Sequence, residues 1–379
     1  MTWHFIFALA AWLSLVLLMW QWAVARRFPL HRRVANPAYF PAVTLLKPLK
    51  GCDASTEKCL RSWFEQEYAG PVQFLFGVAS SADPVCEVVG KLLKEFPRAD
   101  AQLIVCGPLS GANLKVSKLV ELAQLARHEI WVISDADVRV PPDFLVNAVT
   151  PLQAPQIGLV NCFYRLANPE NLAMHLEAVA ANADFWSQVL QAQSLKPLDF
   201  ALGAVMATRA QLVNDMGGFI VLKDCLADDY QLGNRIATRG HRISICSMVA
   251  ECWDTPKGWR EVWKHQLRWA RTIRVCQPLP YFFSILNNPT LWPLLWAVTS
   301  PGTASLIFLA ICLLLRSLVM LDLESRLGRS SPQWRYGWLA PLKDLLQTVI
   351  WALAFLGNRV EWRGERLLLR RDGTLVREA

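Results

Sequence analysis

The chain has 379 residues, is 53% hydrophobic with 17 tryptophans, and carries a formal net charge of +8. Its mean hydropathy of +0.24 is high for a soluble protein, and tryptophan collects at membrane–water interfaces. The sequence has no aromatic-interleaved basic motif of the RNA-binding type, so it does not indicate a nucleic-acid partner. The ten cysteines form no Cys-x-x-Cys pair, so the sequence predicts neither a disulfide framework nor a zinc site.

The first apolar stretch, about Phe5–Val24, has the roughly 20 residues that a helix needs to span a bilayer. Basic residues follow it rather than precede it, which is the reverse of a cleaved signal peptide. The positive-inside rule then places the next domain in the cytoplasm. We therefore predict a transmembrane helix over residues 1–25 and a basic linker over 26–40, the alternative being a long buried helix.

Residues 41–257 alternate between strand and helix patterns. This alternation predicts a mostly parallel sheet with helices on both faces. The predicted strands are Ala42–Leu46, Val72–Val78, Ala101–Cys106 and Ile130–Ser134, and the predicted helices between them are Ser55–Glu67, Val85–Phe96 and Lys115–Ala126.

Acidic residues stand just beyond two of these strands. Asp135 and Asp137 follow the strand Ile130–Ser134, and Asp83 follows Val72–Val78. Ligands bind at the carboxyl ends of strands in open α/β sheets, and two such acids can hold a hard cation that in turn binds a diphosphate. The alternative interpretation of the pair is a simple Asx turn.

Three later segments complete the predicted domain and lead out of it. Residues 201–207 have a strand pattern at a point of close backbone approach, and Asp228 and Asp229 open a helix that runs to about Arg239. Acids in a first helical turn are also favoured by the helix dipole alone. Residues 258–278 interleave tryptophans with lysines and arginines, which predicts a basic amphipathic helix on a bilayer surface.

The C-terminal third is again apolar. Two spans fit it, about Tyr281–Val298 and Thr303–Leu321, and Asn287–Pro289 can break the first. A third piece, Trp338–Leu356, contains charged residues, and we expect it to be re-entrant or to lie on the surface. Residues 279–357 are thus predicted membrane segments, and residues 358–379 a basic cytosolic tail.

Taken in order, these motifs resemble the family 2-like glycosyltransferase clan. The resemblance covers about residues 43–280 and is greatest to the ceramide glucosyltransferase family with its bacterial branch, including the hopanoid-associated glycosyltransferases. It implies a nucleotide-sugar-binding domain of the GT-A type. The segments that carry it are Leu45–Gly51, Asp83-Pro84, Asn113–Lys115, Ser134–Val140, Ala227–Tyr230 and Arg268-Trp269.

The resemblance implies roles for the acids. Asp83 would bind the uracil end of the donor, and Asp135 would lie near the ribose or diphosphate. Asp137, with Asp135, would hold Mg²⁺ or Mn²⁺. Asp229 would be the general base, with Asp228 as the second candidate.

The remaining implied site residues are basic or aromatic. Lys115 would contact the nucleotide, Arg268 would grip a phosphate, and Trp269 would shield the site. The family's (Gln/Arg)-x-x-Arg-Trp box has His265 at its first position here, so the sequence leaves open whether His265 or the adjacent Gln266 serves there. Animal ceramide enzymes lack the second acid of the Asp-x-Asp pair, and the presence of Asp137 favours the bacterial branch.

The implied reaction is inverting transfer from a UDP-sugar, expected to be UDP-glucose, to a lipid hydroxyl such as that of ceramide. The enzyme would be multi-pass in the membrane, expected to be a bacterial inner membrane, with its catalytic domain in the cytoplasm. Its partners would be the UDP-sugar, the lipid acceptor and the bilayer, with no nucleic acid. The alternatives are N-acetylglucosamine transfer to a hopanoid, polysaccharide synthesis and an inactive membrane scaffold.

Lys47 and Lys50 are weaker candidates for site residues. The alternative for both is an ordinary surface loop.

Overall fold

The computed structural model describes residues 2–108, 110–362 and 365–377. The strands are β1 Val43–Pro48, β2 Val72–Val78, β3 Asp100–Val105, β4 Ile130–Ser134, β5 Val138–Arg139, β6 Ile157–Leu166, β7 Val205–Arg209, β8 Arg242–Cys252, β9 Arg359–Trp362, β10 Glu365–Leu369 and β11 Leu375–Arg377. The helices are α1 Thr2–Arg27, α2 Thr56–Phe64, α3 Val85–Glu95, α4 Leu114–Leu125, α5 Phe144–Val149, α6 Leu172–Val179, α7 Trp186–Gln193, α8 Ala210–Asp215, α9 Asp228–Ala237, α10 Trp259–Cys276, α11 Pro278–Phe283, α12 Leu291–Thr299, α13 Thr303–Gly328 and α14 Leu339–Phe355.

Strands β1 to β8 form one sheet in the order β3-β2-β1-β4-β7-β6-β8-β5. The first part is parallel, as predicted, with β1 paired to β2 and β4 and β2 paired to β3. Beyond β4 the sheet is mixed, because β7 runs antiparallel between β4 and β6. The predicted fold class is confirmed. The alternating pattern of strands and helices did not predict the antiparallel pairing beyond β4.

Alternating side chains divide the apolar core between the two faces of the sheet. Leu45 and Leu46 are adjacent on β1, yet Leu45 packs with Leu60 of α2 and Leu46 packs with Leu119 of α4. Successive side chains of a strand point to opposite faces, so helices cover both sides. The helix α4 begins where it does because Asn113 Oδ1 accepts hydrogen bonds from the amides of Lys115 and Val116.

Two helices, α1 and α13, are long and apolar enough to cross a membrane. Both expose large apolar side chains, including Phe5 and Leu9 on α1 and Leu314 on α13. The predicted N-terminal span coincides with α1. The predicted span over residues 281–298 is broken into α11 and α12, because Asn288 caps α12 through the amides of Thr290 and Leu291.

A buried ionic cluster joins the apolar helices to the rest of the chain. Arg316 of α13 binds Asp344 of α14 at 2.9 Å and Asp184 at 2.8 Å. Lys343 completes the cluster with bonds to both acids. Asp184 lies in a π-helical turn, Ala180–Phe185, which links α6 to α7. We expected the charged residues of 338–356 to keep this segment re-entrant or at a surface. Lys343 and Asp344 instead form buried ion pairs.

The predicted basic tail is folded. Strands β9 to β11 form a small antiparallel sheet, whose buried side chains pack against Leu226 in front of α9. The amide of Leu375 donates to the carbonyl of Asp224 at 2.6 Å, and the amide of Leu226 donates to Gly373 at 3.2 Å. We call this unit the C-terminal sheet. The sequence signal for it was the Asp372-Gly373 turn between short alternating strands.

Candidate functional site

The turn that follows β4 carries Asp135 and Asp137. It lies over Lys47 of β1, whose ammonium donates to Ser134 Oγ at 3.1 Å and to the carbonyl of Asp135. Lys47 is fully buried, so the alternative of a surface loop is wrong for this residue. Burial lowers the pKa of Lys47 to about 8, although nearby groups, Asp137 and Asp135 among them, act in the opposite direction. The buried cation thus supports the acidic turn from below.

Lys115 joins two acids that are far apart in the chain. Its ammonium lies 2.8 Å from Asp135 and 3.2 Å from Asp228. Asn113 donates to the other oxygen of Asp228 at 3.1 Å. Both oxygens of Asp228 therefore have partners inside the protein, and the start of α9 is fixed against the turn after β4.

Asp229 has a different environment from its neighbour. One oxygen accepts a hydrogen bond from the amide of Tyr230 at 2.8 Å. The other lies against Gly203, where a Cβ atom would come within 2.6 Å of it. Burial, followed by the charge of Asp228, raises the pKa of Asp229 to about 6. The predicted strand at residues 201–207 begins only at Val205, and the irregular residues before it make room for this carboxyl.

The acids of the turn after β4 and of the start of α9 lie close together, because Lys115 contacts both Asp135 and Asp228. Desolvation by the surrounding protein and the charge of Asp135 raise the pKa of Asp137 to about 6, although its side chain is open to solvent on one side. The pKa of the Tyr164 hydroxyl on β6 is raised by burial and by nearby groups that include Asp229, Asp135 and Asp137. The acids from the ends of β4 and the start of α9 therefore converge in one cleft.

Asp83 lies at the same sheet edge but on the other side of β1. Its carboxylate accepts hydrogen bonds from the amide of Gly51 at 3.0 and 3.1 Å and from the amide of Val85 at 3.1 Å. It thus joins the loop after β1 to the start of α3. Asp83 follows β2, as the sequence indicated. Its contact with a nucleotide base stays a prediction.

The box on α10 packs around a buried acid that the sequence did not single out. Glu177 of α6 is 2% exposed, and its Oε1 accepts hydrogen bonds from His265 Nδ1 and from Gln266 Nε2, the latter at 3.3 Å. Trp269 packs against His265, with the ring centroids 4.7 Å apart. Arg268 lies half-buried on the same helix.

An aromatic chain connects this box to the acidic cleft. Trp269 lies 6.0 Å from Phe185, and Phe185 lies 5.7 Å from Tyr164, measured between ring centroids. Tyr164 in turn faces the acids. The predicted site residues after β4, on α9 and on α10 therefore lie near one another.

The donor set suits a hard divalent cation that binds together with a ligand. Within the described ranges, no group of three or more His, Cys, Asp or Glu side chains is placed to hold a metal ion by itself. Mg²⁺ is typically held by one or two carboxylates plus substrate phosphates. The Asp135–Asp137 pair supplies such carboxylates, and Lys115 already occupies one oxygen of Asp135.

The sheet with acids at its carboxyl edge defines the class: a GT-A-type glycosyltransferase fold with helices on both faces. The chain belongs to glycosyl transferase family 21, whose family model matches residues 5–375. This membership confirms the resemblance to the ceramide glucosyltransferase family drawn from the motifs.

Individual relatives agree with the family. Ceramide glucosyltransferase 3 of Caenorhabditis elegans is 25% identical over 227 residues, covering 59% of this chain and 49% of the relative. Ceramide glucosyltransferase 1 of the same organism is 24% identical over 232 residues, covering 59% and 48%. The chain thus spans about half the length of these relatives.

A solved structure supports the fold. The mannosyltransferase of Pyrobaculum calidifontis in complex with GDP-Man and Mn²⁺ superimposes with a TM-score of 0.51 at 21% identity. The match covers 89% of this chain and 99% of that one. The two proteins therefore share the GT-A fold.

Proposed function

We propose that this chain is a membrane-bound inverting glycosyltransferase that transfers glucose from UDP-glucose to the hydroxyl of ceramide. The observation that carries the proposal is the convergence of Asp135, Asp137 and Asp229 at the carboxyl edge of the sheet. Family membership and the ceramide glucosyltransferase relatives support the reaction class. The apolar helices α1 and α13 support a site beside a bilayer.

The donor would lie along the carboxyl ends of β1, β2 and β4. Asp83 would bind the uracil end, and Lys115, which lies 2.8 Å from Asp135, would contact the diphosphate. A divalent cation held by Asp137 and Asp135 would neutralise charge on the departing UDP. The Pyrobaculum enzyme of the same fold was solved with GDP-Man and Mn²⁺, a pair of the kind proposed. Arg268 would add a bidentate contact to a phosphate.

Asp229 would take the proton of the acceptor hydroxyl. Its pKa of about 6 leaves it ionised at neutral pH yet close to the range in which a general base works best. Asp228 is held by Lys115 and Asn113, so we assign it to positioning. The acceptor oxygen would form its bond to the anomeric carbon as the bond to UDP breaks, which inverts the configuration.

The acceptor would reach the site from the membrane surface. Helix α10 interleaves tryptophan with basic residues, as interfacial helices do, and it carries the box that borders the cleft. The Arg residues at the end of α1 favour a cytoplasmic catalytic domain by the positive-inside rule. A lipid hydroxyl rising from the cytoplasmic leaflet would then face Asp229.

Product analysis with purified protein tests the proposal. UDP-glucose and UDP-N-acetylglucosamine are each offered with ceramide and with a hopanoid, and the lipids are analysed by mass spectrometry. We expect glucosylceramide with Mg²⁺ or Mn²⁺ present. A hopanoid product would replace the ceramide assignment, and absence of UDP release with every acceptor would support an inactive scaffold.

The variant Asp229→Asn tests the general base in the same assay. Because an amide cannot accept the proton, turnover should fall by orders of magnitude while UDP still binds. Near-normal turnover would reject the assignment of Asp229.

A further inference from the structure

The first position of the box on α10 is built differently here from the family pattern. His265 stands where the pattern has Gln or Arg, and its Nδ1 hydrogen-bonds Glu177 Oε1. The same oxygen accepts from Gln266 Nε2. Two donors thus reach one oxygen of Glu177 and the pKa of the acid is lowered, so the group is ionised and acts purely as an acceptor.

This contact sets the protonation of the imidazole. With Glu177 as an acceptor, Nδ1 carries the proton, and the other ring nitrogen, Nε2, has a free lone pair. Burial lowers the pKa of His265 against the effect of Glu177, and the nearby cations Arg268 and Lys257 lower it further. Burial is the largest single effect on Glu177 and would raise its pKa, but the combined effects of His265, Lys257 and Gln266 outweigh it and the pKa is lowered. The ring is therefore neutral at physiological pH.

The imidazole is partly open to solvent, whereas the acid behind it is not. The side chain of His265 is 21% exposed and that of Glu177 is 2% exposed. Trp269 packs on one side of the ring and limits its rotation. The geometry is that of a buried carboxylate orienting a partly exposed histidine.

The His265 ring borders the region that contains the acids. Lys257, whose charge reaches both His265 and Glu177, is ion-paired with Asp254. Asp254 in turn lies close enough to Asp137 to raise its pKa. Asn168 fixes this segment by donating to the Asp254 carbonyl at 2.7 Å and accepting from its amide at 3.0 Å.

We propose that His265 Nε2 accepts a hydrogen bond from a hydroxyl of the bound substrate, and that Glu177 is the positioning residue that makes this nitrogen an acceptor. The inference rests on the proposed glycosyl transfer and names a group that recognises its substrate. An arginine at this position offers only donors and a glutamine offers both a donor and an acceptor, whereas this histidine, protonated on Nδ1, offers an acceptor alone. The hydroxyl belongs either to the lipid acceptor or to the donor sugar.

Substitution at both members of the pair, with steady-state kinetics on the full chain, tests the inference. Glu177→Gln lets the new amide donate to Nδ1, which moves the ring proton to Nε2 and removes the acceptor. His265→Leu removes it outright. Each should raise the KM for one substrate about tenfold, the range expected for a lost neutral hydrogen bond, with the other KM unchanged. A rise for ceramide assigns the lipid hydroxyl, and a rise for UDP-glucose assigns the sugar.

Two further variants separate binding from structure. His265→Gln places an amide oxygen near the position of Nε2 and should recover most of the affinity lost in His265→Leu. Glu170→Gln, at an exposed glutamate, is the matched control for the loss of one acidic charge and should leave both KM values unchanged. Equal rises in both KM values for Glu177→Gln, or no rise in either, would overturn the inference.

Nitrogen NMR of the native chain labelled with ¹⁵N-histidine supplies a readout that does not depend on activity. We expect the His265 signal to show a protonated Nδ1 and an unprotonated Nε2, and Glu177→Gln to reverse this. A protonated Nε2 in the native chain overturns the inference whatever the kinetics. If the native chain shows the expected tautomer but transfers no sugar to any acceptor, the proposed function fails, and the hydroxyl assignment fails with it.

Discussion

Asp228 and Asp229 are adjacent in the chain, yet their side chains lie in different environments. Asp228 is held by a lysine and an asparagine, whereas Asp229 packs against a glycine and has a raised pKa. The family resemblance implied Asp229 as the base with Asp228 as the second candidate, and the role of Asp229 stays a prediction. The difference in their environments depends on Lys115 and Gly203, which come from other parts of the chain.

Gly203 gives a direct test of how closely Asp229 must be placed. In Gly203→Ala the new Cβ would lie 2.6 Å from Asp229 Oδ2, so the carboxyl must move. A shift of this size at a reacting group costs up to about a hundredfold in rate. We expect kcat to fall at least tenfold with UDP affinity unchanged. Gly90→Ala in α3, where a Cβ meets nothing within 4 Å, is the control, and a native kcat for Gly203→Ala would contradict the account.

Residues at the site differ in how visible they are in sequence. Asp83, Asp135 and Asp137 were found because they follow strands, a local pattern that needs no tertiary information. Lys47 and Glu177 were missed or undervalued, because their role comes from burial and from partners 88 residues away in the chain. A buried charge has no local signature when its partner is distant.

Among the elements, the first four strands were predicted to within two residues. The apolar runs of β1, β2 and β4 are buried on both faces, whereas β3 is a more exposed strand at the edge of the sheet. The antiparallel β7 and the C-terminal sheet were not predicted in register or pairing. Short strands paired with distant segments leave a weak periodicity, and the many arginines of residues 358–379 hid the alternation of Val360, Leu367 and Leu369.

The C-terminal sheet should be required for activity, because it packs on the segment that leads into Asp228 and Asp229. Leu367→Asp places a charge in its small core, where the side chain is 1% exposed, and burying an unpaired charge is costly. We expect at least a tenfold loss of turnover, with faster proteolysis of residues 358–379. Leu368→Asp changes the adjacent side chain, which is 39% exposed, and should behave like the native chain. Equal activity of the two variants would show that the sheet has no part in the site.

Across the whole molecule, the site is assembled from distant parts of the chain. The sheet supplies Lys47 and the acidic turn, and α4 supplies Lys115. Helices α6 and α10 supply the hydrogen-bonded pair of Glu177 and His265. The ionic cluster around Arg316 connects the apolar helices to the same helical segment that carries Glu177. The proposed nucleotide site and the exposed apolar surface of α1 and α13 are thus built on one framework.

Equilibrium binding of UDP to the purified full chain, measured by calorimetry with and without Mn²⁺, tests the central claim most directly. UDP should bind in the presence of Mn²⁺, and chelation or Asp137→Asn should weaken binding at least tenfold. Asp215→Asn, at an exposed position on α8, should bind like the native chain. Undiminished binding in Asp137→Asn and in excess chelator would contradict the claim that these carboxylates gather around a metal-bound diphosphate.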